Sequence, residues 1–270
     1  QYRTCSDQNL KTKIMLHYLV SVADPKGHYF DVRLQVEIPL SRLHDNAGQP
    51  AIDLTLPAWI PGSYLIREFA RNVLYVNARV NNMPANCTKF RKDGWRVLPD
   101  PSALVGGHAN LLLECDWRVY AWDLSVRGAH LDESHGFFNG TSLFLCPTGH
   151  EHSSVELTLA RPDEKAADWV IACGLQAAPG TLKDNHGCPV LKAGNHVKFT
   201  APDYDSLIDH PVEMGELHVR SFDALGVKHV FAVYGADTDL DLDRICNDLK
   251  PVCEAQIALF EPDTKRAPFD

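Results

Sequence analysis

The sequence predicts a mostly β chain: a large twisted antiparallel sheet or saddle-like β-sandwich, followed by a strand and a helix that open a second, α/β unit. Three observations carry this. Apolar and polar residues alternate through run after run, which places every second side chain on one sheet face. Turn-forming residues separate the runs. A helical period of three to four residues appears only near the end of the chain.

Ile14 to Val22 is the first alternating run. In the next, Phe30, Val32, Leu34, Val36 and Ile38 face one way while Asp31, Arg33, Gln35 and Glu37 face the other, the pattern of an antiparallel strand with one face in water. Ile52 to Leu56 and Leu74 to Val80 follow, then Leu111 to Val119, where Cys115 shares a face with Leu111, Leu113, Trp117 and Val119. Val155 to Leu159, Val197 to Phe199 and Leu217 to Val219 complete the set. Asp24-Pro25-Lys26-Gly27, Asp45-Asn46-Ala47-Gly48, Asn81-Asn82-Met83-Pro84 and Lys92-Asp93-Gly94 supply the conformers of tight turns, so successive strands are expected to pair mostly as hairpins. Pro57 to Asn72 and Trp122 to Gly140 are too long for such turns, and long ordered loops on a rigid sheet are where binding chemistry gathers. A strand is expected from Ser142 to Cys146 and another from Lys228 to Tyr234. From Asp241 onward Leu242, Ile245, Leu249, Val252 and Gln256 with Leu259 or Phe260 recur at three to four residues as an amphipathic helical stripe, with a kink expected near Asn247 to Lys250 because Pro251 lies inside it. The expected division is therefore a β-rich domain over 12–222 and the start of a second domain over 223–270.

The formal net charge of −9, from 35 acidic against 26 basic residues with no Lys/Arg block, argues against nucleic acid as a partner. No run of about 18 apolar residues is present, so no membrane-spanning helix is expected. Gln1 to Lys13 lacks the apolar core of a secretory signal, which gives an expectation of a cytoplasmic location while leaving open an earlier leader already removed. Eight cysteines without a C-x-x-C pair read as small core residues rather than a disulfide framework.

Thirteen histidines invite a metal search, yet no His-Glu-x-x-His segment occurs. His150-Glu151-His152 reads as a polar loop without a third ligand, so no metal and no other cofactor is expected within this segment. Pro61-Gly62-Ser63-Tyr64 has a glycine on only one side of its serine and is not a nucleophile elbow. No catalytic residue is expected in these 270 residues.

What does stand out is a set of dense strings in the long loops. Trp59-Ile60-Pro61-Gly62-Ser63-Tyr64-Leu65-Ile66-Arg67-Glu68-Phe69-Ala70-Arg71, the stretch AWDLSVRGAHLDESHGFFNGTSLF from Ala121 to Phe144, and Asp203-Tyr204-Asp205-Ser206-Leu207-Ile208-Asp209-His210-Pro211-Val212-Glu213-Met214-Gly215 resemble, in order, segments of the glycyl aminopeptidase family. The resemblance implies a β-rich N-terminal domain, a thermolysin-like catalytic domain holding one zinc through a His-Glu-x-x-His helix, and often a PDZ domain. It implies that the parent protein removes N-terminal residues from peptides, with glycine or alanine preferred, and that this segment is inactive alone because its catalytic-domain partner lies beyond Asp270. The rival from another class is a non-catalytic β-sandwich binding or interaction module.

In related zinc aminopeptidases a loop of the N-terminal domain helps line the pocket for the first residue of the substrate. By position, Asn139, Gly140, Thr141 and Ser142 are the candidates for that role here, against the plain alternative that Asn139-Gly140 turns the chain into the next strand. Arg67 and Arg71, four apart with Glu68 as an available partner, are expected to tether a helical turn. Asp132 and Glu133 either pair with Arg127 or face a peptide amino terminus.

Overall fold

The computed structural model describes residues 14–260 apart from 61–62, 108, 164–166 and 238, so Cys5, Pro61 and Gly62 lie outside the described residues. Each alternating run becomes a strand: Met15–Asp24, Tyr29–Pro39, Gln49–Thr55, Val73–Val80, Asn110–Tyr120, Ser154–Arg161, Asn195–Ala201 and His218–Ala224. Seven of these, all but the last, belong to one 12-stranded sheet. Its centre is Asn110–Tyr120, flanked by Val73–Val80 and Tyr29–Pro39, so that Trp117 sits opposite both Val32 and Val76. On one side the sheet continues through Met83–Arg91, Gly94–Leu98 and Gln49–Thr55; on the other through Met15–Asp24, Ser154–Arg161 and Asn195–Ala201.

The sheet is antiparallel except at one seam, where Met15–Asp24 and Ser154–Arg161 run parallel. Parallel neighbours need a long crossover, and here some 130 residues supply it. The same crossover contains the half of the sheet that begins at Tyr29.

A second sheet of five strands runs in the order Val190–Leu191, Trp169–Ala172, Val212–Gly215, His135–Phe138 and Ala129–Leu131. Its side chains join those of the large sheet in a single core: Phe30, Leu34 and Trp117 from one, Leu131, Phe138, Trp169 and Met214 from the other. Three of its short strands are mostly buried along their whole length, which removes the alternation that marks a half-exposed strand. The expected strand from Ser142 to Cys146 is corrected. Gly140–Ser142 is a 3-10 turn, Leu143, Phe144 and Leu145 are all fully buried, and only Cys146–Pro147 pairs, with Gln49–Thr55. A segment buried on every side crosses the interior instead of lying on a sheet face.

His218–Ala224 pairs with Val227–Val233 in a hairpin, and the helix Leu242–Phe260 packs on it. The helix continues through Pro251, which lies on the exposed side. Its buried stripe is Leu242, Cys246 and Ile257, with Cys253 partly buried, whereas Val252 and Leu259 face outward. The expected stripe is thus rotated by about one residue, because the hairpin selects the face carrying both cysteines. Arg220 fastens the helix start through Asp243 at 2.7 Å. Among the described residues no helix is long and apolar enough to cross a membrane. Because the buried residues of this cluster, among those described, are just Ala224 and Ile257, amides of Leu242–Phe260 are expected to exchange with solvent faster than those of Asn110–Tyr120. Hydrogen exchange followed by mass spectrometry checks this, and equal protection in a monomeric sample would contradict it.

Candidate functional site

The fully buried run from Leu143 to Leu145 poses a problem of unpaired backbone, since carbonyls away from water need donors. Three aromatic side chains supply them in succession. Trp117 Nε1 donates to the Leu143 carbonyl at 2.9 Å, the Tyr204 hydroxyl to Phe144 at 2.6 Å and the Tyr18 hydroxyl to Leu145 at 2.8 Å. Burial pushes both tyrosine hydroxyls well above their usual titration range, so they remain donors. Strands from both halves of the large sheet and the segment around Tyr204 are thereby fastened to one crossing segment.

Tyr204 opens the short helix Tyr204–Ile208, capped by Asp203, whose Oδ1 accepts from the Ser206 amide at 2.8 Å. The Ser206 contacts hold the Asp203 carboxyl below its usual range. Gly140 lies against this helix so closely that a Cβ there would sit 2.8 Å from the Ile208 Cα. The glycine is needed for close approach.

The structure divides the four expected site residues by role. Asn139 caps the 3-10 turn: its Oδ1 accepts from the Thr141 amide at 3.1 Å and the Thr141 hydroxyl at 2.5 Å, which occupies both lone pairs. The Ser142 hydroxyl donates to the Asn139 carbonyl at 2.7 Å. All four residues are buried, and Thr141 is the one that reaches a cleft. That cleft, about 510 Å³, is lined by Trp59 and Ile60, by Thr141, and by Asp205, Ser206 and Asp209 among others. Each of the three strings singled out in the sequence thus contributes to one cavity. His210 also borders it, held by its Nδ1 donating to the Ser206 carbonyl at 2.6 Å.

Other expectations resolve differently. Glu68 pairs with Lys92 at 3.0 Å rather than with Arg67 or Arg71, and Arg67 reaches the buried Ser63 hydroxyl at 3.2 Å. The adjacent Tyr64, Leu65 and Ile66 project into solvent, with Tyr64 fully exposed. Glu133 approaches Lys26 at 3.4 Å, not Arg127. Asp132 organises its own turn: Oδ1 accepts from the Ser134 amide and hydroxyl and from the His135 amide, while Oδ2 faces His130 Nε2 at 3.2 Å. Burial raises the Asp132 carboxyl, but these hydrogen bonds outweigh it and bring the pKa to about 2.

Asp132 belongs to a group that linear spacing does not reveal. His130 and His135, both almost fully buried, stand beside it in a layered set of rings: Trp122 stacks on His130 at 4.8 Å, and Tyr234 stacks on His135 at 4.0 Å. The group's spacing, H-x-D-x-x-H, is not a helical ligand pattern, and its ends meet only when a hairpin folds them together. His150, by contrast, is buried while His152 is exposed, and burial lowers the His150 pKa.

The sequence profile described as Peptidase M61 N-terminal domain matches residues 17–216. Among solved structures, an aminopeptidase N family protein from Idiomarina loihiensis is similar at 35% identity and a TM-score of 0.74, over 92% of this chain and 37% of that one. Native yeast LTA4 hydrolase aligns at 12% identity and a TM-score of 0.47, over 91% of this chain and 35% of that one. An M1 zinc metallopeptidase from Deinococcus radiodurans aligns at 13% and 0.43, over 90% and 54%. The chain therefore spans about a third to a half of the proteins it resembles. No curated protein matches.

Proposed function

This chain belongs to the peptidase M61 N-terminal domain family, and from that premise we propose that it is the N-terminal part of a zinc-dependent aminopeptidase that prefers glycine or alanine at the cleaved end. The observation that carries the reading further is the convergence of the three loop strings on the cleft between Trp59, Thr141 and Asp209. The carboxylates of Asp205 and Asp209 favour a cation, and the Trp59 indole gives a short apolar side chain a wall; a peptide amino terminus has both features. In this proposal Thr141 faces the substrate side while Asn139, Gly140 and Ser142 hold it in place. Residues 223–270, with their own small cluster around Ala224 and Ile257, open the catalytic domain.

The residues of this chain do not fit the family's catalytic zinc, because no His-Glu-x-x-His pair occurs among them. Water activation by zinc would belong to the catalytic domain, and no step of it falls to this chain.

The longer protein is expected to hydrolyse glycyl and alanyl p-nitroanilides, to lose that activity on chelation and to recover it with zinc. Replacing Asp205 and Asp209 together by asparagine removes a charge-assisted contact of about 1.5–3 kcal/mol, so KM should rise roughly ten- to a hundredfold with the melting temperature preserved. An unchanged KM would remove the cleft from substrate binding. Absence of hydrolysis by the zinc-loaded longer protein would favour a non-catalytic β-sandwich binding module.

A further inference from the structure

We propose that His130, Asp132 and His135 form a binding site for one divalent first-row transition ion of the zinc type, with Glu213 orienting His135. The three residues each bring one donor atom to within 4.8 Å of the other two, at the turn between Ala129–Leu131 and His135–Phe138. Two imidazole nitrogens and one carboxylate oxygen are the donor set that zinc and its neighbours accept.

The geometry separates this group from an ordinary polar turn in three respects. First, Asp132 uses its two oxygens differently. Oδ1 is filled by three donors within the turn, so that turn would be complete without Oδ2, which among the described residues is left with His130 Nε2. Second, the 3.2 Å between Oδ2 and Nε2 fits two ligands of one tetrahedral ion, whose bonds of about 2.0–2.1 Å put neighbouring donors about 3.3 Å apart. Third, His135 is buried, and its Nδ1 has no hydrogen-bond partner among the described residues. A buried ring nitrogen without a partner is costly unless something fills the position.

Glu213 sets the tautomer of that ring. Its Oε1 lies against His135 Nε2 as an ion-pair partner from the neighbouring strand Val212–Gly215, and it has no hydrogen-bond partner among the described residues. A carboxylate at Nε2 keeps the proton there, which leaves the lone pair on Nδ1. This is the arrangement by which a carboxylate fixes the tautomer of a ligating histidine and raises its basicity. The rings of Trp122 and Tyr234 hold both imidazoles in place, and the Tyr234 hydroxyl is itself tied to Ser134 at 2.6 Å. An ion here would clamp the turn of the hairpin formed by Ala129–Leu131 and His135–Phe138.

The test is zinc titration of the chelator-treated 270-residue chain by calorimetry, with the metal content measured after dialysis and cobalt substitution read by visible absorption. One equivalent of zinc should be retained, the melting temperature should rise with zinc, and cobalt should give a ligand-field band. His135→Gln should abolish retention. Glu213→Gln leaves the three ligands and the shape of the site intact, and should weaken binding roughly ten- to a hundredfold. His152→Gln should bind as the unmodified chain does. A folded unmodified chain that retains no zinc, cobalt or nickel would overturn the proposal, as would binding indifferent to both His135→Gln and Glu213→Gln. If His135→Gln does not fold, the shift caused by Glu213→Gln decides.

Discussion

Replacing Trp117 by alanine is expected to cost the fold about 3–5 kcal/mol, visible as a large fall in the denaturant midpoint. The side chain is 1% exposed, on a strand paired along both edges, so truncation leaves a cavity that the sheet cannot collapse to fill. It also orphans the Leu143 carbonyl, and an unsatisfied buried acceptor adds about 1–3 kcal/mol to such a change. Trp117→Phe separates the two contributions, because it keeps most of the apolar volume and loses the donor. The phenylalanine variant should retain roughly half of the lost stability or more. Equal losses in the two variants would show that the hydrogen bond, not the packing, dominates. A loss below about 1 kcal/mol in Trp117→Ala would mean that the crossing segment does not depend on this side chain.

Gly140→Ala is expected to destabilise by about 1–3 kcal/mol through overpacking. The added methyl would lie 2.8 Å from the Ile208 Cα and 3.2 Å from the Leu207 carbonyl oxygen, and backbone atoms cannot rotate aside as the end of a side chain can. The turn and the helix Tyr204–Ile208 must therefore separate, which pulls two walls of the cleft apart. Gly149→Ala makes a useful contrast. Its Cβ meets nothing within 4 Å, but its φ of +83° disfavours any side chain, so its cost is conformational. If the longer protein is the proposed aminopeptidase, Gly140→Ala should raise its KM, whereas Gly149→Ala should not. An unaltered melting temperature for Gly140→Ala would refute the close-approach role.

The long central strands were legible because one of their faces meets water. Phe30 to Ile38 and Leu111 to Val119 alternate since the large sheet is covered on one side only, and the positions that alternate are the buried ones. Ala129–Leu131, His135–Phe138 and Val212–Gly215 gave no such signal, because short strands buried on nearly every side have no polar face to write a period. Leu143 to Leu145 misled for the same reason. An apolar run can be a strand or a buried crossing, and what distinguishes them is where the carbonyls find donors. Here the donors are Trp117, Tyr204 and Tyr18, at 26, 60 and 127 residues' separation.

The site shows the same boundary between local and distant information. Its three strings were visible as unusual clusters of rigid, aromatic and charged residues in long loops, and their resemblance to one family named the class of protein. That Trp59, Thr141 and Asp209 share a cleft was not visible, because their meeting depends on how the two sheets pack. His130 and His135 meet through a hairpin whose register pairs Gly136 with Leu131, and Glu213 joins them only through the next strand. The sequence by itself determined the β class, most of the long strands, the acidic surface and the family, since each rests on period, composition or contiguous residues. Tertiary structure alone decided the parallel seam, the buried crossing, the shared cleft and the histidine–carboxylate group, because each depends on contacts between residues far apart in the chain or on a fold-back that linear spacing does not encode.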